Sequence, residues 1–183
     1  ELKMIRCSSM ITGNDFFIHG HTCITRPHLA KVGNHVAIDF GFYCTTGLNL
    51  GDYIHISPHV SVIGGEKTSL NMEDFTFIST GARMICGSDL FMGDGLIGPM
   101  IPDEYKDTQI LEPINLKRFS GVCANSVVMS GVTMAEGSVL GANSFLKTST
   151  EPWTIYGGSP AKPIKKRRKT KMYEYAKELG YEF

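Results

Sequence analysis

The chain has 183 residues, with 18 basic and 18 acidic side chains, so its formal net charge is zero. The length suffices for one domain with a sizeable core, and the charge balance excludes a global field that would draw the chain to nucleic acid or to a membrane surface. No apolar run approaches the ~18 residues of a membrane span, and no secretory signal pattern is seen.

Residues 1–11 carry no clear register and read as a lead-in segment. From Ile18 apolar residues recur every sixth place: Ile18, Ile24, then Val32 after two extra residues, Ile38, Cys44, Leu50, Ile56 and Val62. A four-residue insertion around Gly64, Gly65, Glu66 and Lys67 precedes Met72, Ile78 and Met84. Register is expected to return at Ile110 and Leu116. It continues through Val122, Val128, Met134, Leu140 and Leu146, with Ser126, Val132, Ser138 and Ser144 as a second, smaller set four places on from all but the last. A period of six fits neither a helix nor a half-buried strand. It fits a short strand followed by a corner, three of which close a triangular coil, and stacked coils share one core. Gly33-Asn34 and Gly51-Asp52 supply turn chemistry for such corners, and 20 glycines suit a chain rich in them.

The repeat breaks over 87–109, where Leu90, Phe91, Met92, Ile97 and Tyr105 make disorder a poor reading. An ordered arm that packs on a neighbouring chain is expected. The β-helix is therefore placed at 12–156 with a protruding loop at 87–109, and a C-terminal cap and helix at 157–183. Met172, Tyr175, Ala176 and Leu179 form one helical stripe, read as covering the open end of the solenoid. Five cysteines (Cys7, Cys23, Cys44, Cys86, Cys123) without a CxxC pair read as structural thiols in a reducing compartment, so the expected address is cytoplasmic.

The hexads, the extruded loop and Trp153-Thr-Ile-Tyr-Gly-Gly-Ser-Pro-Ala-Lys162 together resemble the hexapeptide-repeat acyltransferases, and within them the small sugar acetyltransferases of surface-polysaccharide gene clusters. Gly87-Ser88-Asp89 through Pro102-Asp103-Glu104-Tyr105 resembles a subgroup of galactoside O-acetyltransferases and dideoxy-aminosugar acyltransferases. The resemblance implies an all-β fold, a left-handed parallel β-helix with a C-terminal α-helix. It also implies a homotrimer with active sites between subunits, acetyl-CoA as donor, and a sugar or nucleotide-sugar acceptor. The period by itself predicts only flat parallel faces.

Acyl transfer from a thioester needs a base for the acceptor's proton, donors for the oxyanion, and a groove for the pantetheine arm. By motif match, Ala124, Asn125 and Ser126 on one coil and Gly141, Ala142 and Ser144 on the next would line that groove. Gly158, Ser159 and Lys162 would continue it. Lys165 begins a basic run to Lys169 that reads equally as a solvated helix start or as a partner for CoA phosphates. Related galactoside and maltose acetyltransferases carry a His after the strand that leads into the loop; here that position is Asp89. The candidate bases are Asp89 and His59, the latter sharing a corner column with His21, Gly41 and Gly81. His55 is expected to point outward from mid-strand and, with Asp94, Glu104 and Tyr105 on the arm, to bind acceptor. His19, His28 and His35 read as structural. No three histidines have the spacing of a zinc site, so no metal is expected. The competing reading is a non-catalytic repeat scaffold or an inactive homologue.

Overall fold

The computed structural model describes residues 9–182. It is a left-handed parallel β-helix of about seven turns with one C-terminal helix. The first face stacks Ile11–Thr12, Ala30–Val32, Gly47–Leu50, Ser69–Met72, Ile114–Leu116 and Thr133–Met134. The second stacks Phe16–Ile18, Val36–Ile38, Ile54–Ile56, Phe77–Ile78, Gly121–Val122, Val139–Leu140 and Thr154–Gly157, with Lys162–Lys166 added antiparallel. The third stacks Cys23–Ile24, Tyr43–Cys44, Ser61–Ile63, Arg83–Ile85, Val127–Met129 and Phe145–Leu146.

The sixth-place residues point inward, as the period requires: Ile38, Cys44, Ile56, Val62, Ile78, Met84, Leu116, Val122, Val128, Met134 and Leu140 are all 0 % exposed. Burial pushes the Cys44 thiol up to about 11 and the Cys86 thiol up to about 12. Register returns at Ile114, not at Ile110. Ile110 belongs to Gln109–Leu111, which pairs antiparallel with Gly87–Asp89 and carries the arm out of the coil, so the excursion runs two residues further than expected. An apolar residue in a hairpin has the same sequence signature as one in a coil, which is why the spacing misplaced it.

The first corner, between the first and second faces, is held by two ladders. Asn34 Oδ1 accepts the Asn14 N–H at 2.8 Å, Asp52 Oδ1 the Asn34 N–H at 2.6 Å, and Asp74 Oδ1 the Asp52 N–H at 2.8 Å. Just beyond these side chains, and at the same corner position on later coils, the backbone enters the left-handed region, at His35 (φ 54), Tyr53 (φ 55), Phe75 (φ 59), Phe119 (φ 60) and Trp153 (φ 52). Bulky residues seldom accept that conformation, at a cost of about 1–2 kcal/mol each. Here the rings stack from coil to coil, at centroid spacings of 4.5 Å for His35–Tyr53 and 5.2 Å for Tyr53–Phe75 and Phe75–Phe119. Each stacked pair contributes about 0.5–1.5 kcal/mol beyond burial, of the order of the strain. Gly137 takes this corner position on the coil before Trp153, and a Cβ there would run into the indole.

The helix α1, Thr170–Glu178, lies along this aromatic column and not over the end of the solenoid. Tyr173 meets Phe119 and Trp153 edge-on or tilted, Ala176 is buried against them, and Tyr181 reaches Tyr53 and Phe75. Of the expected stripe, Tyr175 (57 % exposed) and Leu179 (51 %) face outward. The end of the core is covered by the chain before the helix. Ser149 and Thr150 bond across the first face to Thr133 and Ala135, and Ala161 N–H to Phe145 O on the third. Arg167 then pins the helix entry, donating from Nη1 to Gly137 O (2.6 Å) and Phe119 O (3.2 Å) over the Trp153 ring. Burial holds its pKa below the usual arginine value.

Tyr181 Oη donates to Asp52 Oδ2 at 2.6 Å, tying the C-terminus to the third coil. Although partial burial opposes it, the bonds from Tyr181 and Asn34 leave the Asp52 carboxyl below its ordinary range, and the same bond raises the Tyr181 phenol. A depressed carboxylate stabilises the fold above its unfolded pKa and loses that contribution as pH falls through the folded one. Tyr181→Phe is therefore expected to cost about 1 kcal/mol near neutral pH. The melting-temperature gap to wild type should close below pH ~4. A gap of constant size down to acid pH in thermal scans would show the hydroxyl acts otherwise.

Candidate active site

The second corner, between the second and third faces, gathers most of the residues singled out for the donor. Backbone bonds stack it coil on coil: His59 N–H to Phe40 O, Gly81 to Pro58, Asn125 to Thr80, and Asn143 to Ala124. Phe145 N–H bonds Gly158 O, so Ala124-Asn125, Ala142-Asn143 and Gly158-Ser159 form one continuous strip on the last three coils. Asn125, Ala142, Gly158 and Ser159 are exposed, and Ala124 and Gly141 half-buried. Asn125 and Asn143 take positive φ (56 and 53), and the Asn125 side chain lies over Gly81.

Ser126 and Ser144 do not face the strip. Both are buried, Ser126 Oγ donating to Gly141 O at 2.7 Å and Ser144 Oγ to Ala142 O at 3.2 Å while accepting the Gly158 N–H at 3.0 Å. They hold the corner and offer a ligand no hydroxyl. Lys162 stands opposite Gly157 beside the strip, whereas Lys165 stands opposite Ile155 on the second face. The basic run divides further. Arg167 is structural, Lys166 pairs with Glu151 at 3.1 Å, and Arg168, Lys169 and Lys171 line a groove of about 650 Å³ beside Trp153, at the first corner.

His59 sits on the second corner at φ 60, exposed, its ring above Gly41 and edge-on to Phe40 at 5.2 Å. The shared column with His21, Gly41 and Gly81 is therefore present. His55 is exposed in mid-strand on the second face, its Nε2 2.8 Å from Asp39 Oδ2. Asp39 follows the preceding coil's strand on that face, a partner that the sequence pattern did not single out. Asp89 lies at the third corner in the strand pair at the root of the arm, where its Oδ1 accepts from Gln109 Nε2 at 3.0 Å. It lines a cleft of about 440 Å³ with Gly64, Gly65, Glu66, Lys67 and Ser88. The width of the third face, some five or six residues of extended chain, puts about 15–20 Å between Asp89 and His59 within one chain. Asp94, Glu104 and Tyr105 are exposed further out on the arm. That arm is ordered by Leu96 N–H to Tyr105 O (2.7 Å), Asp107 N–H to Leu96 O (3.0 Å) and a Lys106–Asp103 ion pair (2.6 Å). Among the described residues no group of three His, Cys, Asp or Glu is arranged to hold a metal ion.

No family model matches the chain. It is 30 % identical over 144 residues to dTDP-4-amino-4,6-dideoxy-D-glucose acyltransferase of Escherichia coli, covering 76 % of this chain and 72 % of that protein. Its fold superimposes on an N-acyltransferase from Bacillus cereus, in complex with dTDP-4-amino-4,6-dideoxyglucose and coenzyme A, with a TM-score of 0.89, 28 % identity, and 98 % and 95 % of the two chains covered. The same Bacillus cereus enzyme in complex with dTDP and coenzyme A matches at 31 % identity and a TM-score of 0.86, over 92 % and 89 % of the two chains.

If the strip is the donor groove, an indole at position 142 should fill it without disturbing the core, because the Ala142 side chain faces solvent. Ala142→Trp is expected to melt near the wild-type temperature and to weaken CoA binding at least tenfold by calorimetry. An unchanged dissociation constant would move the donor elsewhere.

Proposed function

The chain belongs to the hexapeptide-repeat sugar acyltransferases, and from that premise we propose that it transfers an acetyl group from acetyl-CoA to an amine or hydroxyl of a nucleotide-linked sugar, by direct attack of the acceptor on the thioester. The observation that carries the reading is the strip of small, exposed corner residues on three successive coils, Ala124-Asn125, Ala142-Asn143 and Gly158-Ser159. An amide arm such as pantetheine needs a flat surface with backbone groups in reach, and side chains no larger than these allow that approach. A cytoplasmic address belongs to the same proposal, because acetyl-CoA and nucleotide sugars are made there. An amine acceptor is favoured over a hydroxyl. It requires a weaker base, and a carboxylate such as Asp89 also attracts the ammonium form before it loses its proton.

Asp89 and His59 lie at different corners of one chain, so they serve a single reaction centre only if the arm of one chain reaches the second corner of another. The outward side chains of the second face support such packing. Phe17, Ala37, Phe77, Val139 and Ile155 stand in one register row, interrupted by His55 and by Gly121, over which the Phe77 ring lies. The exposed Phe91, Met92, Leu96, Ile97 and Met100 of the arm fit the same account. The assembly proposed is a homotrimer, in which three equivalent grooves form between neighbours.

The test is a complementation assay with acetyl-CoA and dTDP-4-amino-4,6-dideoxyglucose, following free thiol. Asp89→Asn and His59→Ala are each expected to lose about a hundredfold in rate with CoA binding intact. When the two variants are unfolded and refolded together, roughly a quarter of the sites in random trimers regain both groups. No recovery on mixing would confine the site to one chain. No turnover by the wild-type protein with amino- or hydroxyl-sugars would leave the scaffold reading in its place.

A further inference from the structure

The balanced net charge hides a segregation. Residues 162–171 carry seven basic side chains and no acid, which leaves 11 basic against 18 acidic residues in the rest of the chain. The fold gathers these seven at one end. Lys162–Lys166 is the outermost strand of the second face, so it rims the C-terminal end of the solenoid from the second corner to the first. The chain then enters α1, which runs back along the aromatic column, away from that end. Two of the seven cations are engaged, Lys166 by Glu151 and Arg167 by Gly137 O and Phe119 O. Lys162, Lys165, Arg168, Lys169 and Lys171 are exposed, and none stands within ion-pair distance of a carboxylate among the described residues.

Lysines on an exposed edge strand discourage pairing with another sheet edge, which accounts for Lys162 and Lys165. It does not account for Arg168, Lys169 and Lys171. These line a groove of about 650 Å³ at the start of α1, whose first turn holds no acidic residue. Cations at that end of a helix oppose its dipole, so the cluster weakens the fold instead of supporting it. An anion from outside the chain removes the conflict.

We propose that this end of the solenoid docks on an anionic lipid surface. A row of cations along a strand of about 16 Å, continued by the groove at the first corner, spreads charge across a flat end and not within a pocket. That distribution matches headgroups spread over a plane. Ile164, 64 % exposed in the middle of the row, adds apolar surface that a bilayer interface receives. The Trp153 ring is buried, with Arg167 over it, so the groove offers no free aromatic face on which nucleic-acid bases would stack. Surface charges act over only about 10 Å at ~0.1 M salt, so docking responds to this end and not to the zero net charge of the whole. In the proposed homotrimer, solenoids packed side by side about one axis carry three such ends at one level, and their attachments reinforce one another.

Co-sedimentation of the intact protein with lipid vesicles tests this. At ~0.1 M salt, wild type is expected to bind vesicles of phosphatidylcholine with about one-third phosphatidylglycerol at least tenfold more tightly than vesicles of phosphatidylcholine alone. Raising the salt to ~0.5 M should release it. The triple substitution Arg168→Gln/Lys169→Gln/Lys171→Gln should weaken binding to the anionic vesicles at least tenfold, since each cation near such a surface raises partitioning about fivefold. It should melt no lower than wild type, because it removes repulsion at the start of α1, and calorimetry should show its CoA affinity retained. Equal binding to both kinds of vesicle, or unchanged binding by the triple variant, would overturn the proposal. So would tighter binding of duplex DNA than of anionic vesicles at the same salt, which would make the patch a nucleic-acid contact. A loss of CoA affinity in the variant would assign the cluster to the donor and overturn it too. Should the triple variant fail to fold, Arg168→Gln and Lys171→Gln carry the same test singly, at about fivefold each.

Discussion

Each coil must turn three sharp corners within about 18 residues, and the rest of the molecule follows from how those corners are filled. The parallel ladders force residues on successive coils into register. From Lys31 to Val36, Asn49 to Ile54, and onwards, five positions always separate the paired residues across the first corner. The same holds across the second, from Ile38 to Tyr43, Ile56 to Ser61 and Val122 to Val127. All irregularity in length is placed at the third corner: the turn at Pro27–Leu29, the Gly64-Gly65-Glu66-Lys67 insertion, and the whole arm. This division is physical. A ladder of Asx side chains or stacked rings fails if one rung is displaced, whereas a corner with no ladder tolerates extra chain. The protein thus keeps two corners periodic and puts its variation into one.

The two periodic corners differ in what occupies them. At the first, the left-handed residues carry rings, and the resulting stack is covered by α1 and closed by Tyr181. At the second, the left-handed positions are Gly41, His59, Gly81, Asn125 and Asn143, and no helix among the described residues covers them. The faces differ in the same way. On the first, Asn49, Asn71 and Asn115 donate side-chain amide to side-chain amide at 2.8 Å, ending on Thr133 at 3.3 Å, a satisfied polar surface suited to water. The second face presents an apolar row. One polar face, one apolar face and one bare corner make the second corner the accessible edge on which the proposed site rests.

Much of this was legible in sequence because every coil turns an aliphatic side chain inward at the same place on each face. A six-residue recurrence of Ile, Val, Leu and Met therefore specifies the coil outright. The strip of small residues at the second corner was legible for a related reason, since small residues at successive corners stand out against the hexads. What was not legible depends on residues remote in sequence. Tyr181 and Asp52 are 129 positions apart, and nothing local marks Tyr173 and Tyr181, rather than Tyr175 and Leu179, as the inward side of the helix. A signal did exist at the receiving end: His35, Tyr53 and Phe75 each follow an Asx at one corner position, and bulky rings there call for a cover. Ser126 and Ser144 misled in the opposite sense. Serine at a corner looks like a hydroxyl for a ligand, but a triangular coil this tight leaves its corner carbonyls in need of an internal donor, and these two supply it.

The bareness of the second corner bears on where catalytic groups come from. Along the strip of small corner residues the side chains are Ala, Asn, Gly and Ser, none of which titrates near neutral pH, so the strip itself offers no group to move a proton. On the proposed reading, proton transfer falls to groups from the flanks. The candidates are His59 from the same corner, His55 with Asp39 from the adjoining face, and Asp89 from the root of the arm at the third corner. Only the last stands where a long segment leaves the coil, and that segment is rooted at the corner where the fold tolerates insertion. A solenoid that cannot alter its periodic corners without breaking a ladder can still change its acceptor chemistry by changing the arm. The strip of small residues at the second corner then need not change with it.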